Sequence, residues 1–237
     1  MITMAFNKNI SGVGNEIEFV QFLNMKRVWQ LNPMFLSFLE DLFGRLKEND
    51  IIYCWKNDKP EKSDIFLKVQ GVTKGVSIKR GIKNSVHVER ISDFIHFLIK
   101  NNIQKDIIEK YLRYHYADGT LNGSGHRRLS ASEYKILHQD EIDQINTAFC
   151  QKELMEKVVS RFLLQGQYKT GKADVILFGV IDDFIWIKAE DIKRIVLEKR
   201  NVYSSAVHFG PLTCQPMDRC LNYNPLYEKK RFCIQIK

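Results

Sequence analysis

The chain has 237 residues, 44% of them apolar and 11% aromatic, a globular rather than a disordered composition with ample length for a core. Its formal net charge of +8 favours a polyanionic partner such as nucleic acid. No apolar run reaches the roughly eighteen residues of a membrane span, residues 1–12 lack the pattern of a secretory signal, and five cysteines without a CxxC pair argue for reduced, cytoplasmic thiols rather than a disulfide framework or a zinc site.

In chain order, the spacing of Ile17, Val20, Phe22, Leu23, Val28 and Leu31 predicts a first helix over 16–30, with these side chains in the core. Asn32-Pro33 breaks it, and Pro33 opens a second helix over 34–47. Residues 51–55 read as a strand, followed by a lysine-rich loop to residue 62. Residues 64–70 alternate as a half-buried strand does, Gly71 and Thr73-Lys74-Gly75 mark a turn, and residues 76–80 form a second strand. Ser77 and Lys79 then share one face. Across this hairpin Asp64 and Lys79 approach one pocket, where an acid and a lysine hold a divalent metal, position water and stabilise a phosphate. A plain alternative is a solvated basic edge, Lys68, Lys74, Lys79, Arg80 and Lys83, that discourages aggregation. Next comes a helix over 89–100, with Val88, Ile91, Phe94, Ile95, Leu98 and Ile99 on its apolar face and Glu89, Asp93, His96 and Lys100 opposite. A further helix spans 105–116.

At these residues the chain resembles the PD-(D/E)xK nuclease superfamily, whose fold is restriction-endonuclease-like. Asp64 matches the first acid, although Ser63 stands where proline is common. Ser77-Ile78-Lys79 matches the second half, with serine in place of the second acid. A subgroup of type II restriction enzymes has this Ser-x-Lys form and takes the missing acid from the following helix. Here Asp93, sixteen residues after Ser77, is preferred to Glu89. The family also carries a glutamate on its first helix, often four residues after a glycine; Glu18 follows Gly14 by four, and Glu16 is the reserve. The resemblance covers about the first hundred residues. It implies Mg²⁺, with Mn²⁺ as a substitute, bound by Asp64 and by Asp93 or Glu89. Lys79 would be the catalytic lysine, Ser77 a supporting hydrogen-bonding group and Glu18 a further acid.

Residues 118–128 form a glycine-rich loop ending in His126-Arg127-Arg128. It reads either as a grip on a phosphate backbone through outward amides or as a surface connection. No Gly-Lys-Ser/Thr follows, which excludes a phosphate loop and a nucleotide cofactor. Ser130 and Glu133 predict a capping box, and helical sequence continues to about residue 165. Residues 173–180 and 184–188 read as a hairpin and 189–199 as a helix, repeating the strand–strand–helix order; Asp174 and Lys188 there form a rival acid–lysine pair. Residues 206–209 and 231–236 read as strands. Between them Arg219, Tyr223, Lys229 and Lys230 suit base stacking and phosphate contact, as do Arg80 and Lys83 in the first half.

The expectation is a single α+β domain over 1–237, with a mixed central sheet flanked by helices and a possible division at 117 into a catalytic core and a DNA-contacting region. Its function would be a Mg²⁺-dependent endodeoxyribonuclease, as a homodimer on palindromic DNA. A non-catalytic nucleic-acid-binding protein is the alternative, and a protein-interaction or toxin-like module the third.

Overall fold

The computed structural model describes residues 12–81, 85–125, 128–166, 170–202, 206–218 and 230–237. The chain forms two compact units, and each is discontinuous: residues 1–84 with 160–192, and 85–159 with 193–237. The division therefore does not fall at residue 117.

The first unit holds a five-stranded mixed sheet, the helices α1 (Gly12–Leu23) and α2 (Pro33–Phe43), and most of a π-helical segment, Val159–Gln165. The strands are β1 (Tyr53–Lys56), β2 (Ile65–Val69), β3 (Val72–Lys79), β5 (Val175–Val180) and β6 (Asp183–Lys188), adjacent in that order. Only β3 and β5 run parallel; the remaining pairs are antiparallel. The first helix stops earlier than its apolar spacing predicts: the backbone turns left-handed at Met25, and a 3₁₀ turn covers Val28–Gln30. Phe19 is fully buried in place of Ile17, which is 41% exposed. Asn32 caps α2 by accepting the Phe35 N–H at 2.9 Å, with Pro33 in the first turn as expected. Phe184 of β6 lies among Phe19, Phe35 and Phe38, at ring separations of 5.6, 4.9 and 5.6 Å. With Ile65, Leu67, Val76, Ile78, Val175 and Leu177 these rings make the core on one sheet face.

The β2–β3 turn is tighter than the glycine pattern suggests. Gln70 and Gly71 both have positive φ, so two residues reverse the chain, and Thr73-Lys74-Gly75 belong to β3. Gly75 is required within the strand because a Cβ there would strike the Ser63 hydroxyl and the Lys172 carbonyl. Central β3, flanked on both sides, buries Val76, Ser77 and Ile78 in succession.

The second unit holds β4 (His87–Arg90), α3 (Ile91–Lys100), α4 (Lys105–Tyr116), α5 (Ala131–Leu137), α6 (Gln139–Phe149), α7 (Lys152–Val158), β7 (His208–Phe209), β8 (Leu212–Pro216) and β9 (Cys233–Ile236). Its sheet has the order β4-β9-β8-β7, all antiparallel. The helix α8 (Ala189–Glu198) carries the chain from the first unit to the second. The capping box forms as read, Ser130 Oγ accepting from Glu133 N and Glu133 accepting from Ser130 N. Phe94, Tyr111, Phe149 and Phe209 form the core, with Phe149 stacked on Phe209 at 4.5 Å. No described helix is long and apolar enough to cross a membrane.

Candidate active site

Asp64 stands one residue ahead of β2, where its N–H donates to the Val76 carbonyl at 2.8 Å and extends the β2–β3 ladder. Beyond it the chain leaves the sheet, so the Ile78 N–H on the neighbouring strand has lost its ladder partner. The Asp64 carboxylate takes that place: Oδ2 accepts from Ile78 N at 2.5 Å, from Ser77 Oγ at 3.1 Å and from Lys79 Nζ at 3.4 Å. Lys79 also donates to the Ile78 carbonyl at 3.2 Å. Both charged side chains remain 22% exposed, so solvent and a ligand reach them.

Ser63 is buried, and its N–H donates to the Gly171 carbonyl at 3.0 Å while its hydroxyl donates to the Lys172 carbonyl at 2.8 Å. Proline would supply neither donor. The serine thus fits its place, tying the chain before Asp64 to the segment that leads into β5.

Another carboxylate, that of Glu16 on α1, interacts electrostatically with Asp64 and Lys79. Burial raises the Glu16 pKa, the charge of Asp64 raises it further, and Lys56 and Lys79 act in the opposite sense. Lys56 Nζ lies 3.4 Å from the Glu16 carboxylate. The sequence spacing favours Glu18, but two residues along a helix rotate the side chain by about 200°. The helix is fixed by Phe19 in the core and by Asn15, which donates to the Gly179 carbonyl at 3.0 Å. Glu16, the reserve, is the α1 acid with an electrostatic link to Asp64.

Other candidates are placed differently. Glu89 is not on a helix: it lies on β4, 7% exposed, 3.2 Å from His87 Nε2. Asp93 is half-buried on the first turn of α3. Both acids belong to the second unit. The rival pair is occupied elsewhere, since Asp174 accepts from Gly75 N at 2.9 Å and Lys188 pairs with Asp41 at 2.9 Å. Trp186 also donates to Asp41, at 2.8 Å, so these residues fasten β6 to α2.

Arg128 is 4% exposed and pairs with Asp218, while it donates to the carbonyls of His115 (2.9 Å) and Tyr116 (2.6 Å) at the end of α4. It is a structural clamp and not a phosphate contact. The loop before it is likewise folded inward. The Asp118 carboxylate accepts from Thr120 N, Gly125 N and Arg231, and the Gly123 and Ser124 amides donate to side chains of the loop. Outward amides for a phosphate are not what these residues offer. Arg80 and Lys230 are half-buried; Lys83, His126, Arg127, Arg219, Tyr223 and Lys229 lie outside the described residues.

No protein-family profile matches the chain, and no curated protein matches it. Among solved structures it is similar to the restriction endonuclease MspI, crystallised in complex with its cognate DNA. The TM-score is 0.61 at 13% identity, over 95% of this chain and 90% of that one. The fold is therefore restriction-endonuclease-like, a mixed α+β architecture with its mixed sheet flanked by helices, as the sequence reading expects.

Proposed function

We propose that the protein is a Mg²⁺-dependent endodeoxyribonuclease, of the type II restriction kind or a related cytoplasmic defence enzyme, acting as a homodimer on duplex DNA. The observation that carries this reading is the hydrogen-bonded cluster of Asp64, Ser77 and Lys79, with Glu16 in electrostatic reach of it, in a fold shared with a DNA-bound restriction endonuclease.

The donor set suits the metal. Mg²⁺ takes one or two carboxylates and fills its remaining positions with water and substrate phosphate, and Asp64 with Glu16 offers two hard oxygen donors. The like-charge effect of Asp64 on Glu16 is what a bound cation would relieve. Bound there, Mg²⁺ supplies Lewis-acid polarisation of the phosphate. The protein's own groups do the rest. Ser77 Oγ and Ile78 N hold the Asp64 carboxylate in one orientation. Lys79 donates hydrogen bonds to the attacking water and to the phosphate oxygen on which charge develops. The water oxygen bonds to phosphorus and gives up a proton to solvent as the bond to the 3′ oxygen breaks, and that oxygen takes a proton from solvent, leaving a 5′-phosphate and a 3′-hydroxyl.

A second reading is a DNA-binding protein without cleavage. It is favoured by the absence, among the described residues, of any group of three acid, histidine or cysteine side chains able to hold a metal. Incubating long unmethylated duplex DNA with Mg²⁺ and the wild type, Lys79→Ala or Asp64→Ala separates the two. Discrete fragments in the wild type alone are expected, with the variants slower by 100-fold or more, on the order of the loss of a preorganised charge-stabilising donor. An inert wild type that binds the same DNA in a salt-dependent way would establish the second reading instead.

A further inference from the structure

The sheet face that carries the Asp64 cluster continues into aromatic side chains that the cleavage centre does not use. On β1, Tyr53 and Trp55 flank the buried Cys54 and stand on the opposite face from it, 44% and 41% exposed. The register sets Lys68 across from Tyr53, and Phe66 across from Trp55 with Gly75 beyond it. Alternation along β2 and β3 puts Phe66 and Lys68 on the same face as Asp64, Ser77 and Lys79. Residues on one face of a strand repeat every two positions, about 7 Å. The Trp55–Phe66 row is therefore the next one after the Asp64–Ser77 row, and the Tyr53–Lys68 row follows it.

Trp55 is stacked on Phe66 at 5.7 Å with 29° between the rings. Its indole is supported from one side by a half-buried ring and stays two-fifths exposed. Lys68 is exposed beside Tyr53, and the Tyr53–Lys68–Thr73 row contains no acid. The outer edge of β1 is closed to an added strand: Ile52 exchanges backbone hydrogen bonds with Met25 and Lys26, and Cys54 N donates to Asn24 Oδ1. Strand addition from a second copy has no place to start there. Exposed rings, a lysine among them and a closed edge match the needs of unpaired bases on a phosphate chain. The ~7 Å between rows is twice the ~3.4 Å that a stacked strand advances per nucleotide.

We propose that Tyr53, Trp55 and Lys68 form a stacking platform for unpaired bases of a polynucleotide strand running away from the Asp64–Lys79 centre. This rests on the nucleic-acid reading above and extends it from duplex DNA to opened or single-stranded segments. The platform supplies stacking and one phosphate contact, with no base-edge readout, so it is tolerant of sequence.

The test is equilibrium binding of a labelled oligo-dT 12-mer and of a 12-base-pair duplex, with chelator present so that cleavage plays no part. The variants are Tyr53→Leu/Trp55→Leu, which keeps apolar bulk but removes the aromatic faces, and Tyr53→Phe/Trp55→Phe, which keeps them. The leucine variant is expected to lose about tenfold or more in oligo-dT affinity while its duplex affinity changes less than about twofold, and the phenylalanine variant to recover most of the loss. Equal oligo-dT affinity in wild type and leucine variant overturns the platform and leaves the nuclease reading intact. Wild-type protein that does not bind oligo-dT overturns the platform whatever its duplex affinity, while the nuclease reading stands or falls on the cleavage assay. Sedimentation in which the leucine variant alone loses self-association would assign the surface to a second copy and overturn the proposal.

Discussion

Two glutamates on α1, two positions apart, show what a residue's direction is worth. Glu18 satisfies the spacing from Gly14, yet Glu16 is the carboxylate that feels Asp64 and Lys79. If Glu16 is one of the two carboxylates that hold the metal, Glu16→Gln should lower the cleavage rate by more than the roughly tenfold lost with groups that merely support a ligand, whereas Glu18→Gln should leave it within about twofold. The pKa of Glu16 is raised chiefly by burial and then by the Asp64 charge, so the folded state favours its protonated form more than the unfolded state does. Its penalty on stability is absent below the unfolded value near 4.5 and complete above the raised folded value. Glu16→Gln should therefore melt at a higher temperature than the wild type at pH 7, with the gap closing as pH falls through that window; a lower midpoint at pH 7 would contradict this.

At the scale of elements, the hairpin that carries the site depends on one strand glycine. Gly75 lies under Ser63 and the Lys172 carbonyl, and Ser63 adjoins Asp64 in the chain. Gly75→Ala should cost about 1–3 kcal/mol through overpacking, measurable in denaturant unfolding. On the proposed mechanism it should also reduce cleavage, because the residue displaced is next to Asp64. The sequence marks this glycine as a turn residue, since nothing in its neighbours distinguishes a turn from a close approach of a remote segment. The two-residue turn at Gln70-Gly71 is hidden for a similar reason: glutamine seldom signals positive φ. Helices are more legible. The helix α4 has the bounds its periodicity predicts, and the box at Ser130 caps α5, because both signals are local. Residues 87–90 are a strand rather than a helix start because β9, far along the chain, pairs with them.

For the whole molecule, chain order and unit membership differ. The strand β3, which holds Ser77 and Lys79, has β2 on one side and β5 on the other, and β5 lies nearly a hundred residues later, as Ser77 opposite Ile176 makes plain. A fragment of residues 1–117 leaves out β5 and β6 and with them Phe184, the ring between α1 and α2. Circular dichroism and limited proteolysis of that fragment should report no cooperative unfolding; a stable, protease-resistant fragment would refute it. The parallel β3–β5 pair also explains why the contiguous division at 117 looks reasonable in sequence: a crossover of this length leaves no local mark.

By itself the sequence determined that the chain is globular and basic, that an acid heads a strand and that a Ser-x-Lys follows on the next. These depend on composition and on the two-residue alternation of strands, both readable without knowing any remote neighbour. It also carried enough of the pattern to place the fold with restriction-endonuclease-like proteins. The packing alone revealed that Glu16 interacts electrostatically with Asp64 and that Arg128 is buried against Asp218 and the end of α4. It likewise decided that Asp174 and Lys188 are spent on Gly75 and Asp41, and that aromatic rings share a face with the acid–lysine pair. Each of these turns on which distant segment lies against a residue, and that is set by the packing of the core, not by spacing along the chain.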